Sequence, residues 1–296
     1  MERLRTINPG IAMGLGAYAI WGLLPAYLKL VRPLPAPDIL AYRVLFSLAL
    51  LALVLLALRR HAGLVRILRS PRLTGALALS ATLIAVNWLI YIDAVNRGHV
   101  KDASLGYFIN PLVNVALGTL VLRERLGRVE LAAVTLAATA VAVLAIARGA
   151  LPWIPLALAF SFAFYGLVRK MTTVDALDGL FVETVLLAPL AAAWLATSAA
   201  PGAGVAPGWP LIAASGAVTA APLLLFAGAA KRIRYADLGL LQYIAPTIQL
   251  SLALVAFGER LAPVELACFA MIWTALALYA GGASWRARRL GTVAPE

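Results

Sequence analysis

The chain has little of what builds a soluble catalytic or metal-bound site. It holds one cysteine in 296 residues, Cys268. One cysteine excludes an intrachain disulfide and any metal site made of several thiolates. Its two histidines, His61 and His99, both fall in loops between apolar runs, and no His-Glu-x-x-His pair or phosphate-binding glycine loop is present. Charge is sparse at 13% of residues, about half of the ~25% usual in soluble domains. Acid is the scarcer sign, with 13 Asp and Glu against 25 Lys and Arg.

Apolar residues take the place of charge. They make up 63% of the chain, and mean hydropathy is +0.91. Soluble domains are about 45–50% apolar, so the bilayer must be the solvent for most of this sequence. The net charge of +12 invites a nucleic-acid partner. The distribution argues against one, because Lys and Arg sit in short clusters between apolar runs, where orientation signals belong. Arg3 and Arg5 before an apolar run resemble a signal peptide. The run from about Pro9 to Val31 is too long for a cleaved segment and reads as an uncleaved first span.

A spanning helix needs about 20 largely apolar residues. Ten segments qualify, over about 10–31, 36–58, 73–95, 103–122, 129–147, 152–168, 177–197, 209–229, 235–257 and 263–282. The loops between them are tight and leave no room for a soluble domain. Eighteen positive residues collect on one side of the predicted spans and six on the other, with Arg43 inside the second span. That bias places both termini in the cytoplasm of a bacterial inner membrane.

The halves share a pattern. Pro111, Glu124-Arg125-Leu126 and Val129-Glu130-Leu131 recur as Pro246, Glu259-Arg260-Leu261 and Val264-Glu265-Leu266, always 135 residues on. Asp102, Leu105, Ile109 and Leu117 likewise match Asp237, Leu240, Ile244 and Leu252, and Trp21-Gly22-Leu23 is similar to Tyr165-Gly166-Leu167. Five spans per half is an odd number, so the second half enters the membrane inverted. The expectation is an all-α membrane protein of ten transmembrane helices. They form two inverted five-helix repeats, 1–148 and 149–296, around a central cavity. Such halves exchange conformations and expose one site to either side in turn, which favours a transporter over a channel.

The run Gly106-Tyr107-Phe108-Ile109-Asn110-Pro111-Leu112-Val113-Asn114, closing in Arg123-Glu124-Arg125-Leu126, resembles the RarD branch of the EamA-type drug/metabolite transporter superfamily. So do Leu241-Gln242-Tyr243-Ile244-Ala245-Pro246-Thr247 with Gly258-Glu259, and Tyr18-Ala19-Ile20-Trp21-Gly22-Leu23-Leu24-Pro25. The likeness runs in order over nearly the whole chain. It implies ten helices, alternating access, and cargo among amino acids, other small metabolites or amphiphilic drugs, with export the common direction. RarD relatives are linked by name to chloramphenicol sensitivity, and the neighbouring YddG branch to aromatic amino-acid export. Where many relatives have His before the second-span Arg, this chain has Tyr42, which speaks against His-dependent proton chemistry there.

An ionisable group in hydrocarbon costs about 2.5–3.5 kcal/mol or more, so it should face protein or a wet cavity. Arg43 and Glu183 lie at similar depths in spans two and seven, which are repeat partners. Arg43 suits a substrate carboxylate, and Glu183 an ammonium or a proton; snorkelling or a structural ion pair is the plain alternative. Asn87 and Tyr91 share one face of span three. Asn110, paired with Asn114, and Gln242, two turns from Gln249, are further cavity candidates, with helix-to-helix bonding the alternative. Tyr18, Trp21, Tyr165 and Tyr243 offer aromatic surface for an apolar or aromatic cargo. Pro111 and Pro246 bend their helices at matching points and are candidate hinges. Gly10-x-x-x-Gly14 permits close helix packing. Glu124 and Glu259 read as local ion pairs fixing helix ends, and Asp93 as a charge near a loop.

An intramembrane enzyme is the main rival. Asp175-x-x-Asp178 suggests a magnesium-pyrophosphate pair, but no second acidic cluster accompanies it. A channel lacks an acidic ring or a filter-like glycine run. The expectation is therefore a non-enzyme with no cofactor and no metal, whose partners are a small molecule and the lipid bilayer. Substrate, direction, proton coupling and oligomeric state stay open, as does an uncoupled facilitator.

Overall fold

The computed structural model describes residues 8–59, 62–122, 127–198, 208–230, 232–233 and 241–291, and no strand occurs among them. The helices are α1 Pro9–Leu30, α2 Ala36–Ala57, the short α3 Ala62–Leu68, α4 Pro71–Asn96, α5 Val100–Leu122 and α6 Arg128–Arg148. They continue as α7 Trp153–Met171, α8 Ala176–Thr197, α9 Trp209–Ala230, α10 Ile244–Ser251 and α11 Pro263–Gly291.

Local signals set the ends. Asn8 accepts the Gly10 amide at 2.8 Å, and Pro9 opens α1 where its missing N–H costs nothing. Ser70 and Asp175 cap α4 and α8 in the same way. The last carbonyls of α6 are closed off by Gly149 at φ 61°, a left-handed position that suits glycine. α10 runs into a π-helical turn, Leu252–Ala256, and the chain then reverses near Gly258 at φ 68°.

Seven helices among the described residues are long and apolar enough to cross a bilayer. The helical parts of 244–256 and 263–278 are apolar but shorter. α5 has the length, at 23 residues, yet carries Lys101, Asp102, Asn110 and Asn114. Predicted and observed helix bounds agree within three residues over the first eight segments. Residues 234–240, at the start of the ninth, lie outside the described residues. Apolar side chains such as Ile146 (81% exposed) and Val255 (87% exposed) point away from the bundle, as lipid-facing residues must.

Connections are short, so successive long helices run in opposite directions. We call the end where α1 starts the near end and the opposite one the far end. α2 lies between α8 and α9 and also touches α4; α1 packs on α9 and α10; α4 on α7 and α8; α5 on α7 and α10; α6 on α11. Small residues make the closest approaches. A methyl on Gly22 would lie 2.8 Å from Ile248 Cβ, one on Gly106 2.8 Å from the Pro155 carbonyl, and one on Gly216 2.6 Å from the Phe46 backbone. Gly10 is as tightly met, by Arg232 and Ile233 at 2.7 Å.

Pro25 shows how one residue shapes packing. It removes the amide that would bond the Trp21 carbonyl, and Gln249 of α10 supplies a donor to that carbonyl instead, at 3.1 Å.

Candidate functional site

Arg43 is the largest charged side chain in the interior, 2% exposed, on the third turn of α2. Its Nε donates to Thr219 Oγ1 of α9 at 2.9 Å. Its guanidinium lies 5.1 Å from the Trp88 ring centroid, a cation–π contact from α4. Three tyrosines, Tyr27, Tyr91 and Tyr107, stand near enough to act on its charge. Its Nη1 has no hydrogen-bond partner among the described residues.

Thr219 and Trp88 also line a narrow cavity, together with Ser47, Ile84, Glu183 and Leu223. A second narrow space is lined by Tyr27, Tyr42 and Ser215 among others. α2, α4, α8 and α9 supply the side chains that line the first of these spaces.

Glu183 sits roughly 10 Å in from the start of α8, hence toward the near end, whereas Arg43 is nearer the far end. The two do not pair. Glu183 accepts a hydrogen bond from Ser80 of α4 at 2.5 Å and faces Arg169 of α7 at 3.5 Å. The Arg169 guanidinium lies flat on Gly179, where any Cβ would meet it at 1.9 Å. Tyr165 stands close to both charges. The Asp175/Asp178 pair is used structurally: Asp175 caps α8, and buried Asp178 packs on Gly63 of α3.

The amides face other helices. Asn87 donates to the Leu158 carbonyl at 3.0 Å and to Ser161 at 2.9 Å, and accepts from Tyr107 at 3.0 Å. Asn110 donates to the Ala159 carbonyl at 2.9 Å and accepts from Asn114 and Gln242. Both amides therefore pin α7 at successive carbonyls. Tyr18 and Trp21 form a ring cluster with Phe226, at centroid distances of 5.5–6.2 Å. Tyr165 packs on Phe162, and Tyr243 on the core between α5, α6 and α11. Tyr91 packs at a tilt against Tyr107, ring centroids 5.6 Å apart, close to Arg43. Of the sequence candidates, Arg43 and Tyr91 come together, Glu183 and Tyr165 form a second group, and Tyr18 and Trp21 a third.

At the far end a charge network joins segments distant in sequence. Arg148 bonds Asp102 at 3.0 Å and also Glu265, which takes Lys101 at 2.9 Å. Glu259 corrects an expectation. Its carboxylate does not pair locally with Arg260; it accepts the Val100 and Lys101 amides at 2.8 and 3.0 Å. The start of a helix carries unsatisfied donors and a partial positive charge, which outcompetes an exposed arginine. Glu124 lies outside the described residues. Asp93 pairs with Arg97, one turn on, at 2.8 Å. Among the described residues no group of three or more His, Cys, Asp or Glu could hold a metal ion.

Sequence reasoning overlooked Ser47, Ser80, Ser215, Thr219 and the inward role of Arg169. Ser47 alone carried a signal, standing one helical turn from Arg43.

The model of the EamA-like transporter family matches residues 8–146. An uncharacterized transporter of Pseudomonas aeruginosa is 48% identical over 289 residues, covering 96% of each chain. Protein RarD of Streptomyces exfoliatus is 48% identical, covering 95% of this chain and 90% of its own length. Protein RarD of Escherichia coli is 44% identical over 95% of this chain and 96% of its own. A solved crystal structure superposes with a TM-score of 0.61 at 21% identity, over 91% of this chain and 96% of that one.

Proposed function

The chain belongs to the EamA-like transporter family, in the RarD branch of the drug/metabolite transporter superfamily, and from that premise we propose that it moves small amphiphilic metabolites across the bacterial inner membrane by alternating access. It is a multi-pass membrane protein whose relatives are named as transporters. The proposed cargo is an amino acid or a similar small molecule, including drugs of that size, and the proposed direction is export. No chemical step is assigned to the chain.

The helix pairings carry this reading. Let α1, α2, α4, α5 and α6 of residues 1–148 exchange with α7, α8, α9, α10 and α11 of 149–296. The pair α1–α9 then becomes α7–α4, α1–α10 becomes α7–α5, and α2–α9 becomes α8–α4; all six are observed packings. The pairs α2–α8, α5–α10 and α6–α11 map onto themselves. That is the packing expected of two inverted repeats, and it supports an axis passing between α2 and α8 beside the cavity. Positive charge concentrated near both termini favours a cytoplasmic near end. The bonded network of Asp102, Arg148, Glu259 and Glu265 would then be the closed outer seal. Pro111 and Pro246 are the proposed hinges. Tyr18, Trp21, Arg43, Asn87, Tyr91, Asn110, Tyr165, Glu183, Gln242 and Tyr243 are the proposed cavity residues.

Counterflow in proteoliposomes tests the function. A panel of labelled amino acids and amphiphiles, run with and without a pH gradient, should give saturable exchange. Linear uptake alone, or ionic conductance, would overturn it. Indifference to the gradient would make the protein an uncoupled facilitator.

A further inference from the structure

Helical hydroxyls in apolar surroundings usually donate to the carbonyl four residues back. Thr82, Thr135, Ser161, Thr184 and Thr274 do so here, at 2.6–2.9 Å. Ser47 and Ser215 do not. They are 3% and 2% exposed; Ser215 lies within reach of the Tyr27 hydroxyl, and Ser47 meets no partner among the described residues. The same holds for the Tyr91 hydroxyl and for Arg43 Nη1.

These four groups belong to one neighbourhood. Ser47 follows Arg43 by one turn on α2. Ser215 precedes Thr219 by one turn on α9, and Thr219 holds Arg43. Tyr91 follows Trp88 by one turn on α4, and Trp88 lies under the guanidinium. Every one of them can donate. Buried donors left unmatched are costly, so a cluster of them is kept only where something with acceptors completes it.

Charge narrows the choice. Glu183 has its counter-charge in Arg169 and a donor in Ser80. Arg43 has rings and a hydroxyl, and no carboxylate pairs with it among the described residues. Two of its contacts, Thr219 and Trp88, line the cavity, so a cation with no acid partner among the described residues stands behind the cavity wall.

We propose that Arg43, Ser47, Tyr91 and Ser215 form a carboxylate site, and that the cargo is an organic monoanion with an apolar body and no need of an ammonium group. A carboxylate has about four lone-pair sites and matches the planar guanidinium fork. Val44, Ile84, Leu187 and Leu223 line the adjoining cavity and suit the apolar body. This rests on the transport reading and sharpens its substrate class.

The test uses three probes with one body: 3-phenylpropionate, phenylalanine and phenethylamine. A second series, 4-methylpentanoate, leucine and isoamylamine, covers an aliphatic body. Calorimetric titration of the purified full-length protein should rank acid first, zwitterion second and amine last, with at least tenfold between acid and amine. Arg43→Gln should weaken acid binding at least tenfold. Ser47→Ala and Ser215→Ala, which spare the charge and the fold, should each weaken it roughly three- to tenfold. Preference for the amine, acid binding indifferent to all three substitutions, or no acid bound from either series would overturn the site. The transport reading fails separately. Acid binding without saturable counterflow would sink transport and keep the site, while saturable flux of the amines would keep transport and sink the site.

Discussion

Arg43 and Glu183 occupy matching places in α2 and α8, and the protein treats them differently. Each is a single charge about seven residues into a helix that crosses the bundle. Around Glu183 the chain assembles a hydroxyl and a counter-ion, Ser80 and Arg169. Around Arg43 it assembles a ring, a hydroxyl and three tyrosines, with no acid paired to it among the described residues. The difference separates two meanings of a buried charge. One has its counter-charge within the protein, although Glu183 Oε2 and Arg169 Nη1 make no hydrogen bond among the described residues. The other is left open, which stability alone does not favour. Burial by itself would have ranked them as equals.

The largest expected effect breaks the closed member. Arg169→Gln leaves Glu183 buried and uncompensated and should cost about 3–5 kcal/mol of stability, read as a lower unfolding temperature in detergent. Adding Glu183→Gln should return most of that loss, because the cost belongs to the unpaired charge. A double variant as unstable as the single one would contradict the pairing.

Arg43→Gln acts on the open member. Flux should fall roughly 10- to 100-fold, the worth of hydrogen bonds to a charged group, with no loss of thermal stability. Trp88→Leu removes only the ring beneath the guanidinium and should cost about 0.5–2 kcal/mol, seen as a several-fold weaker apparent affinity at unchanged maximal flux. Asp93→Asn, at an exposed pair, supplies the small end of the scale. It should change the unfolding free energy by less than about 0.5 kcal/mol.

Much of this was legible in one dimension. Apolar run length placed the helices, because hydrocarbon thickness fixes how many residues a crossing needs. Arg43 and Glu183 stood out because charge inside such a run is expensive. What surrounds them was not legible. Arg169 lies next to Lys170 at a helix end and reads as a loop cation, yet its guanidinium reaches inward over Gly179. Thr219 is 176 residues from Arg43, and nothing local marks it. Ser47 looks like an ordinary helix serine; only the bond it fails to make distinguishes it. Glu259 pairs across the molecule because the helix start it caps belongs to the other half. Sequence patterns report what a residue costs where it sits, and the partner that offsets the cost is a property of the packing.

The most direct test is counterflow by Arg43→Gln, normalised to folded protein from a thermal melt of the same sample. The account predicts a variant that unfolds at the wild-type temperature or above and carries at most a tenth of the wild-type flux. A variant that melts early while each folded molecule transports at the wild-type rate would contradict it, and would make Arg43 a structural charge like Glu183.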